Sequence, residues 1–465
     1  MTSETTHVQA QSSAAPEPGL ALTRRDVTAI LYAVDAQDQK RLTALMAPLH
    51  AADIADLLEQ LNPFDRRRLV QLYDYGFDGD ILSELDEALR EDIIAVLTPG
   101  VLAEAVRDLE SDDVVDLVED LDEPQQETIL EALEDADRVA VEQALAYPEY
   151  SAGRLMQREF VVAPEHWTVG EAIDHLRNAE ELPEQFYHMV LVDPRMHPIG
   201  NVTLGKLMSS RREVLLTSIV EEVFRVIPVT QDEGDVAYAF NQYHLISAPV
   251  VDSDDRLVGV ITIDDAMSVL DQEHEEDILR LAGVGEEASL TDTILAAAKG
   301  RALWLFVNLL TAILASLVIS RFAETIDALV ALAVLMPVVA SMGGNAGTQT
   351  MTVTVRALAT RDLTAQNALR VVLREVSVGA INGLLFGLIM AAVTALWFGI
   401  PMLALVIGVA MLGTQIAAAL GGIIIPMALD RAGVDPALAS GPFVTTVTDV
   451  VGFFAFLGLA AAVLM

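Results

Sequence analysis

No cysteine occurs among the 465 residues. Disulfides, thiolate metal sites and a cysteine nucleophile are thereby excluded. Histidine is scarce and lopsided: all eight (His7, His50, His166, His175, His188, His197, His244, His274) lie before residue 298. No nucleophile–base pair, phosphate-binding glycine loop or histidine-based zinc motif is present, so an enzyme is not expected. The polar stretch Met1–Gly19 lacks an apolar core and is no secretory signal; residues 1–22 read as a disordered tail. Positive charge is also short. Against 68 Asp and Glu stand 28 Lys and Arg, a net charge of −40, and phosphate backbones would repel such a surface. Nucleic acid is not an expected partner.

The deficit is confined to one part of the chain. After residue 298 there are eight basic residues (Lys299, Arg301, Arg321, Arg356, Arg361, Arg370, Arg374, Arg431) and seven acidic ones (Glu324, Asp327, Asp362, Glu375, Asp430, Asp435, Asp449). That leaves 20 basic and 61 acidic side chains before it, a net of −41 on the first part and +1 on the last. A very acidic soluble region is joined to a nearly neutral apolar one.

The apolar region, residues 299–465, holds five segments long enough for a bilayer, which needs about 20 apolar residues. They are expected at about 302–320, 326–356, 376–398, 402–429 and 440–463. Gly399-Ile400-Pro401 divides the uncharged stretch Val376–Leu429. Placing the acidic region in the cytoplasm puts every basic residue of the last third inside except Arg321, as the positive-inside bias requires. Five spans then leave the C-terminus outside a cell membrane.

Two repeats organise the soluble region. Asp53-Ile-Ala-Asp-Leu-Leu-Glu-Gln-Leu61 returns as Asp113-Val-Val-Asp-Leu-Val-Glu-Asp-Leu121, each followed by a proline-bearing turn. This predicts an all-α superhelical array over residues 23–148. Between residues 149 and 270 the pairs Val192/Val251, Asp193/Asp252, Gly200/Gly259, Thr203/Thr262 and Met208/Met267 share one offset. Each copy reads as strand, turn, strand, helix. The pattern resembles a tandem pair of CBS domains, α/β modules that often bind adenine nucleotides. The resemblance implies a nucleotide site at Thr262 and Asp265, with ATP as ligand; at the matching place in the first copy stands Lys206. A bare helix cap at Asp265 is the alternative reading.

What crosses the apolar region must be held by oxygen, because that region has neither imidazole nor thiolate. Oxygen-only ligation favours a hard cation. Asp449 is the carboxylate well inside an expected span. Such a charge costs about 2.5–3.5 kcal/mol at a helix centre and commonly marks an ion path. A twofold homodimer would bring two copies together. Magnesium, which keeps its waters and touches one or two carboxylates, suits a wide site of that kind. The glycines of Gly343-Gly344-Asn345-Ala346-Gly347-Thr348-Gln349 permit either a local break or close helix packing.

That run, together with Gly441-Pro442-Phe443-Val444-Thr445-Thr446-Val447-Thr448-Asp449, resembles the MgtE family of magnesium channels, over nearly the whole chain. The resemblance implies a multidomain membrane protein with three parts: a cytosolic all-α superhelical domain, the tandem CBS pair, and a five-helix all-α transmembrane domain. It implies a homodimer taking up Mg2+ and gated by intracellular Mg2+. It assigns Asp449 to the pore, with Asn345 and Gly441 lining it. It assigns Asp112, Asp116, Asp232, Asp264, Asp265, Glu273, Glu276, Asp277 and Asp435 to the cytosolic sensor. The connection 271–298 becomes a plug helix. His244 and Ser268 stand where the family pattern often has aspartate. A secondary carrier of Mg2+, Co2+ or Mn2+ is the alternative, and a membrane-anchored sensor is a weaker one.

Overall fold

A computed structural model describes residues 22–465, except 74–75, 108, 120, 122, 180–181, 184 and 285–293. The expected tail before Leu22 and the middle of the 271–298 connection lie outside the described residues. The chain divides into two compact units, Met1–Leu270 and Asp271–Met465.

In the first unit short helices run from Arg24 to Ala144. In the repeated helices Ala51–Gln60 and Ser111–Glu119, apolar residues recur at helical spacing. Ile54, Leu57, Leu58 and Leu61 are matched sixty residues later by Val114, Leu117, Val118 and Leu121, and all eight are buried. Helices of this length are marginal alone. Their last carbonyls also lack intrahelical donors. The following helix supplies both remedies. Arg66 in Pro63–Tyr73 donates to the carbonyls of Leu58 and Leu61 at 2.8 and 2.9 Å. Gln126, its counterpart in Glu123–Ala132, donates to those of Val118 and Leu121, both at 2.9 Å.

The strand repeat is kept residue for residue in the two antiparallel hairpins. Val161–Pro164 pairs parallel with His188–Val192, which pairs antiparallel with Pro198–Thr203. Ile227–Pro228, Ser247–Val251 and Leu257–Thr262 repeat that order. His188 faces Thr203 as Ser247 faces Thr262, and both antiparallel pairs slip at the same place, after Leu191 and after Val250. Each hairpin turn contains one left-handed residue at the equivalent position, Met196 (φ 68°) and Asp255 (φ 59°).

Among the described residues the second unit contains five helices long and apolar enough to cross a membrane: Ile294–Ser320, Ala331–Ala359, Ala368–Phe398, Pro401–Arg431 and Pro436–Leu464. The second starts at Ala331 rather than near 326, because the short helix Ala323–Ala328 ends at Leu329 in extended backbone (φ −142°, ψ 87°). The third starts at Ala368 rather than 376. Its first turns carry Arg370, Arg374 and Glu375, so charge marks where the apolar surroundings end and not where the helix begins. The third and fourth helices meet along Gly379, Gly383 and Gly387. A Cβ on these would lie 2.8 Å from the Gln415 carbonyl oxygen, 2.9 Å from Leu412 Cα and 2.7 Å from the Gly408 carbonyl oxygen. Only glycine allows backbones this close.

Candidate functional site

In the first unit, carboxylates of the helical domain and of the second CBS copy crowd together. Ser111–Glu119 presents Asp112 and Asp113 in its first turn, where the positive end of the helix favours anions. Asp112 Oδ1 accepts from the Asp113 N–H at 3.0 Å; its other oxygen is buried away from any N–H or hydroxyl donor, and the Asp112 and Asp265 side chains lie within hydrogen-bond reach, which requires a proton shared between them. Burial, and then the charge of Asp265, push the Asp112 carboxyl well above the usual range. Burial and the charges of Asp265 and Glu110 raise Asp113 from 3.8 to about 7. Glu110 and Asp265 are raised as well, burial again being the main cause. The two domains are joined around this cluster by neutral and paired groups. Gln157 Nε2 donates to Glu110 at 2.6 Å, Ser111 Oγ donates to Glu159 at 2.8 Å, and Arg154 pairs with Glu119 at 2.5 Å. The buried carboxylates themselves are left facing one another.

Asp265 is also the third residue of the helix Ile263–Leu281. Its Oδ2 accepts from Thr262 N–H at 3.3 Å and from Thr262 Oγ1 at 2.6 Å, the N3-to-N-cap half of a capping box. The local cap and the interdomain position thus occupy this side chain together. Asp264 accepts a short hydrogen bond from the same hydroxyl. In the first CBS copy Lys206 reaches the Val220 carbonyl at 3.1 Å and Glu221 at 3.2 Å. Two other sensor candidates have local partners. Asp116 pairs with Arg90 at 2.8 Å, and Asp232 caps Glu233–Tyr243 by accepting from Asp235 N–H at 3.2 Å. Among the described residues no three His, Asp or Glu side chains converge as a chelating group. A hydrated magnesium ion needs only one or two carboxylates, and the buried Asp112 and Asp265 pair, once its protons are displaced, fits that demand.

In the second unit the glycine run stays helical throughout Ala331–Ala359. Two of its glycines are packing sites. A Cβ on Gly343 would meet Thr414 Cγ2 at 2.7 Å, and one on Gly347 would meet Val444 Cγ1 at 2.8 Å and Thr448 Cγ2 at 3.0 Å. The second and fifth helices therefore touch where one carries Asn345 and the other Asp449. Asn345 is exposed and Asp449 half-buried on the single chain. Gly441 is followed by Pro442, which has no N–H to give the Leu438 carbonyl, and the Gly441 carbonyl accepts from Thr445 Oγ1 at 3.0 Å. Gln415 Nε2 spans to the Met342 carbonyl at 3.3 Å.

The helix Ile263–Leu281 is continuous, so the expected plug helix is fused to the last CBS helix. On it Glu273 and His274 are exposed, Glu276 pairs with Arg280 at 2.7 Å, and Asp277 is raised by burial and by the charge of Asp435. Sequence reasoning missed Glu375. It is 8% exposed inside the third membrane helix, and the apolar stretch beginning one residue later hid it.

The family model described as "Divalent cation transporter" matches residues 336–459. The "MgtE intracellular N domain" matches 49–150, and the CBS domain matches 152–213 and 217–272. Magnesium transporter MgtE of Enterococcus faecalis is 33% identical over 93% of this chain and 96% of its own length. This chain belongs to the MgtE family. MgtE of Thermus thermophilus is 31% identical, over 93% of this chain and 97% of its own. A crystal structure of the cytosolic domain of the Mg2+ channel MgtE in complex with ATP is 26% identical, covering 52% of this chain and 99% of that one, with a TM-score of 0.49.

Against the MgtE pattern, His244 ends its helix in left-handed conformation (φ 53°), and Ser268 Oγ donates to the Asp264 carbonyl at 3.2 Å. Neither adds a carboxylate to the cluster. The raised carboxyls have a consequence for stability. Their folded-state affinity for protons exceeds that of the unfolded chain, so without metal their contribution is complete below about pH 4 and is lost as pH rises through about 7. Metal binding must displace those protons. In EDTA the cytosolic fragment should melt lower at pH 8 than at pH 6, and Mg2+ should restore more at pH 8. Equal Mg2+ increments in scanning fluorimetry at both pH values would sink this account.

Proposed function

We propose that this MgtE family member is a homodimeric magnesium-selective channel of the cell membrane, with its acidic N-terminal region cytoplasmic and its C-terminus outside, closed by intracellular Mg2+. The observation that carries the reading is the group Glu110, Asp112, Asp113, Asp264 and Asp265, crowded at one interdomain contact with no basic side chain among them and with Asp112 and Asp265 buried against each other. Uncompensated carboxylates oppose the compact arrangement, and divalent ions bridging them favour it. Several ions, each contributing about 1–2 kcal/mol of differential affinity, reach the roughly 5.5 kcal/mol that flips a two-state gate. Asp449 supports the transport half of the reading: an intramembrane carboxylate on a helix packed closely against the Asn345 helix. The apolar side chains Leu303, Phe306 and Leu310, exposed on the first membrane helix, are available to lipid or a second copy.

ATP is proposed as a further ligand of the CBS pair. With Lys206 engaged by Glu221 in the first copy, Asp265 is the carboxylate available for a ribose, and a bound nucleotide would share it with Thr262 and the interface. The test of transport is a bilayer recording with Mg2+ as the only permeant cation. Ohmic single-channel steps that disappear when millimolar Mg2+ is added on the cytosolic side are expected. Flux without unitary steps would assign the chain to the carriers.

A further inference from the structure

Arg280 lies near the end of the helix Ile263–Leu281 and is 18% exposed on its side chain. One arm of its guanidinium, NH2, reaches Glu276 Oε2 at 2.7 Å. The other, NH1, reaches Asp435 Oδ2 at 3.2 Å. Asp435 is the N-cap of the fifth membrane helix, and its second oxygen accepts from Ala437 N–H at 2.7 Å. A single carboxylate therefore holds the first turn of the helix that carries Asp449 and, with its other oxygen, the linker helix. The next residue, Leu281, packs with Ile425 against Met351, Val355, Ala437 and Val444. An apolar anchor and a charged clasp thus sit side by side.

We propose that Arg280 is a positioning residue, a tethered cation that seats the linker helix on the N-terminus of the Asp449 helix without a metal ion. The inference rests on the reading of the chain as a Mg2+-gated channel and names a residue of its gate. The guanidinium suits the task because its rigid fork engages two carboxylates at once, whereas an ammonium is a point charge. The charge balance supports it. Among the described residues the acidic groups Glu276, Asp277 and Asp435 outnumber the guanidinium of Arg280 at this contact, an excess that a divalent ion would reduce. Arg280 thereby sets how much of the docking depends on Mg2+: with it the helix docks partly in the ion's absence, and without it three like charges oppose contact.

The absence of native cysteine permits a direct measurement. Exposed Ile278 and Val434 are replaced by cysteine and spin-labelled in full-length protein in nanodiscs, and their separation is read by pulsed electron resonance. In EDTA the parent should keep a short-distance population. Arg280→Gln should lower the ratio of short to long distances about tenfold, the equivalent of about 1.4 kcal/mol, and millimolar Mg2+ should restore it. Rescue by an ion separates a lost clasp from a misfolded helix. Asp435→Asn keeps a capping side chain and removes the ion pair, so it should loosen the helix similarly. It also carries the test if Arg280→Gln does not insert. Parent-like distances in EDTA for both variants would overturn the proposal. A parent whose flux ignores Mg2+ while the EDTA distances still respond to Arg280→Gln would overturn the gating reading and leave the clasp standing.

Discussion

Asp449→Asn should insert and fold as the parent does yet lose its hold on divalent ions. The substitution preserves size and hydrogen-bonding capacity and removes a charge whose presence in a span costs about 2.5–3.5 kcal/mol. The helix Pro436–Leu464 packs through Val444, Thr448 and Phe456, all fully or nearly fully buried, and none of these contacts uses the carboxylate. In a homodimer two charges disappear. Neutral oxygens compete poorly with water for magnesium, so Mg2+ block of monovalent current should weaken by an order of magnitude or more. Asp449→Ala should do the same. Asp362→Asn, in the turn where Asp362 accepts from Thr360 Oγ1 at 2.9 Å, should leave permeation nearly unchanged. Wild-type uptake and wild-type block in Asp449→Asn would place the ion path elsewhere.

The paired substitution Asp112→Asn with Asp265→Asn should make the cytosolic fragment nearly indifferent to magnesium. A buried carboxyl pair whose ionisation opposes the contact is replaced by neutral amides. Asparagine at 265 still accepts from Thr262, so the cap survives. Melting in EDTA should therefore rise, because desolvated charge is removed. Most of the Mg2+-induced increment in melting temperature and most of the change in radius of gyration should vanish. In the full-length protein the same pair should make closure less steep in cytosolic Mg2+. Amides at Asp116, which pairs with Arg90, should leave the Mg2+ increment largely intact. A double amide with an undiminished increment would move the sensor away from this contact.

Much of the architecture was legible because both repeats are written in residues that geometry constrains. A strand hairpin fixes which residues face each other, so the common offset of Asp193/Asp252 and Thr203/Thr262 reappears as paired register. Buried helix faces fix spacing, so Ile54, Leu57, Leu58 and Leu61 could be matched to their later copies. Asp112 and Asp265 were reached through family resemblance, and their proximity is a tertiary fact with no local trace. Other features leave none either. The donors Arg66 and Gln126 serve carbonyls of a preceding helix, and nothing in periodicity distinguishes them from solvated side chains. Glu375 leaves no signal because it sits just before the uncharged stretch, on turns of the helix that charge disguises as loop. In the sequence the glycine run leaves both a break and a packing site open; the neighbours Thr414, Val444 and Thr448 decide for packing at Gly343 and Gly347.

The glycine ladder between the third and fourth membrane helices limits how such a gate is able to move. At Gly379, Gly383 and Gly387 the nearest atoms of the facing helix are main-chain atoms, which have no rotamer to change to absorb a rotation. A small screw motion of one helix against the other would drive main-chain atoms together, so the two must travel as a single plate. The freedom to widen or narrow a passage is left to the first, second and fifth helices. Crosslinks across the ladder should accordingly be silent in every functional assay, and the same crosslinks across the remaining helix pairs should freeze it.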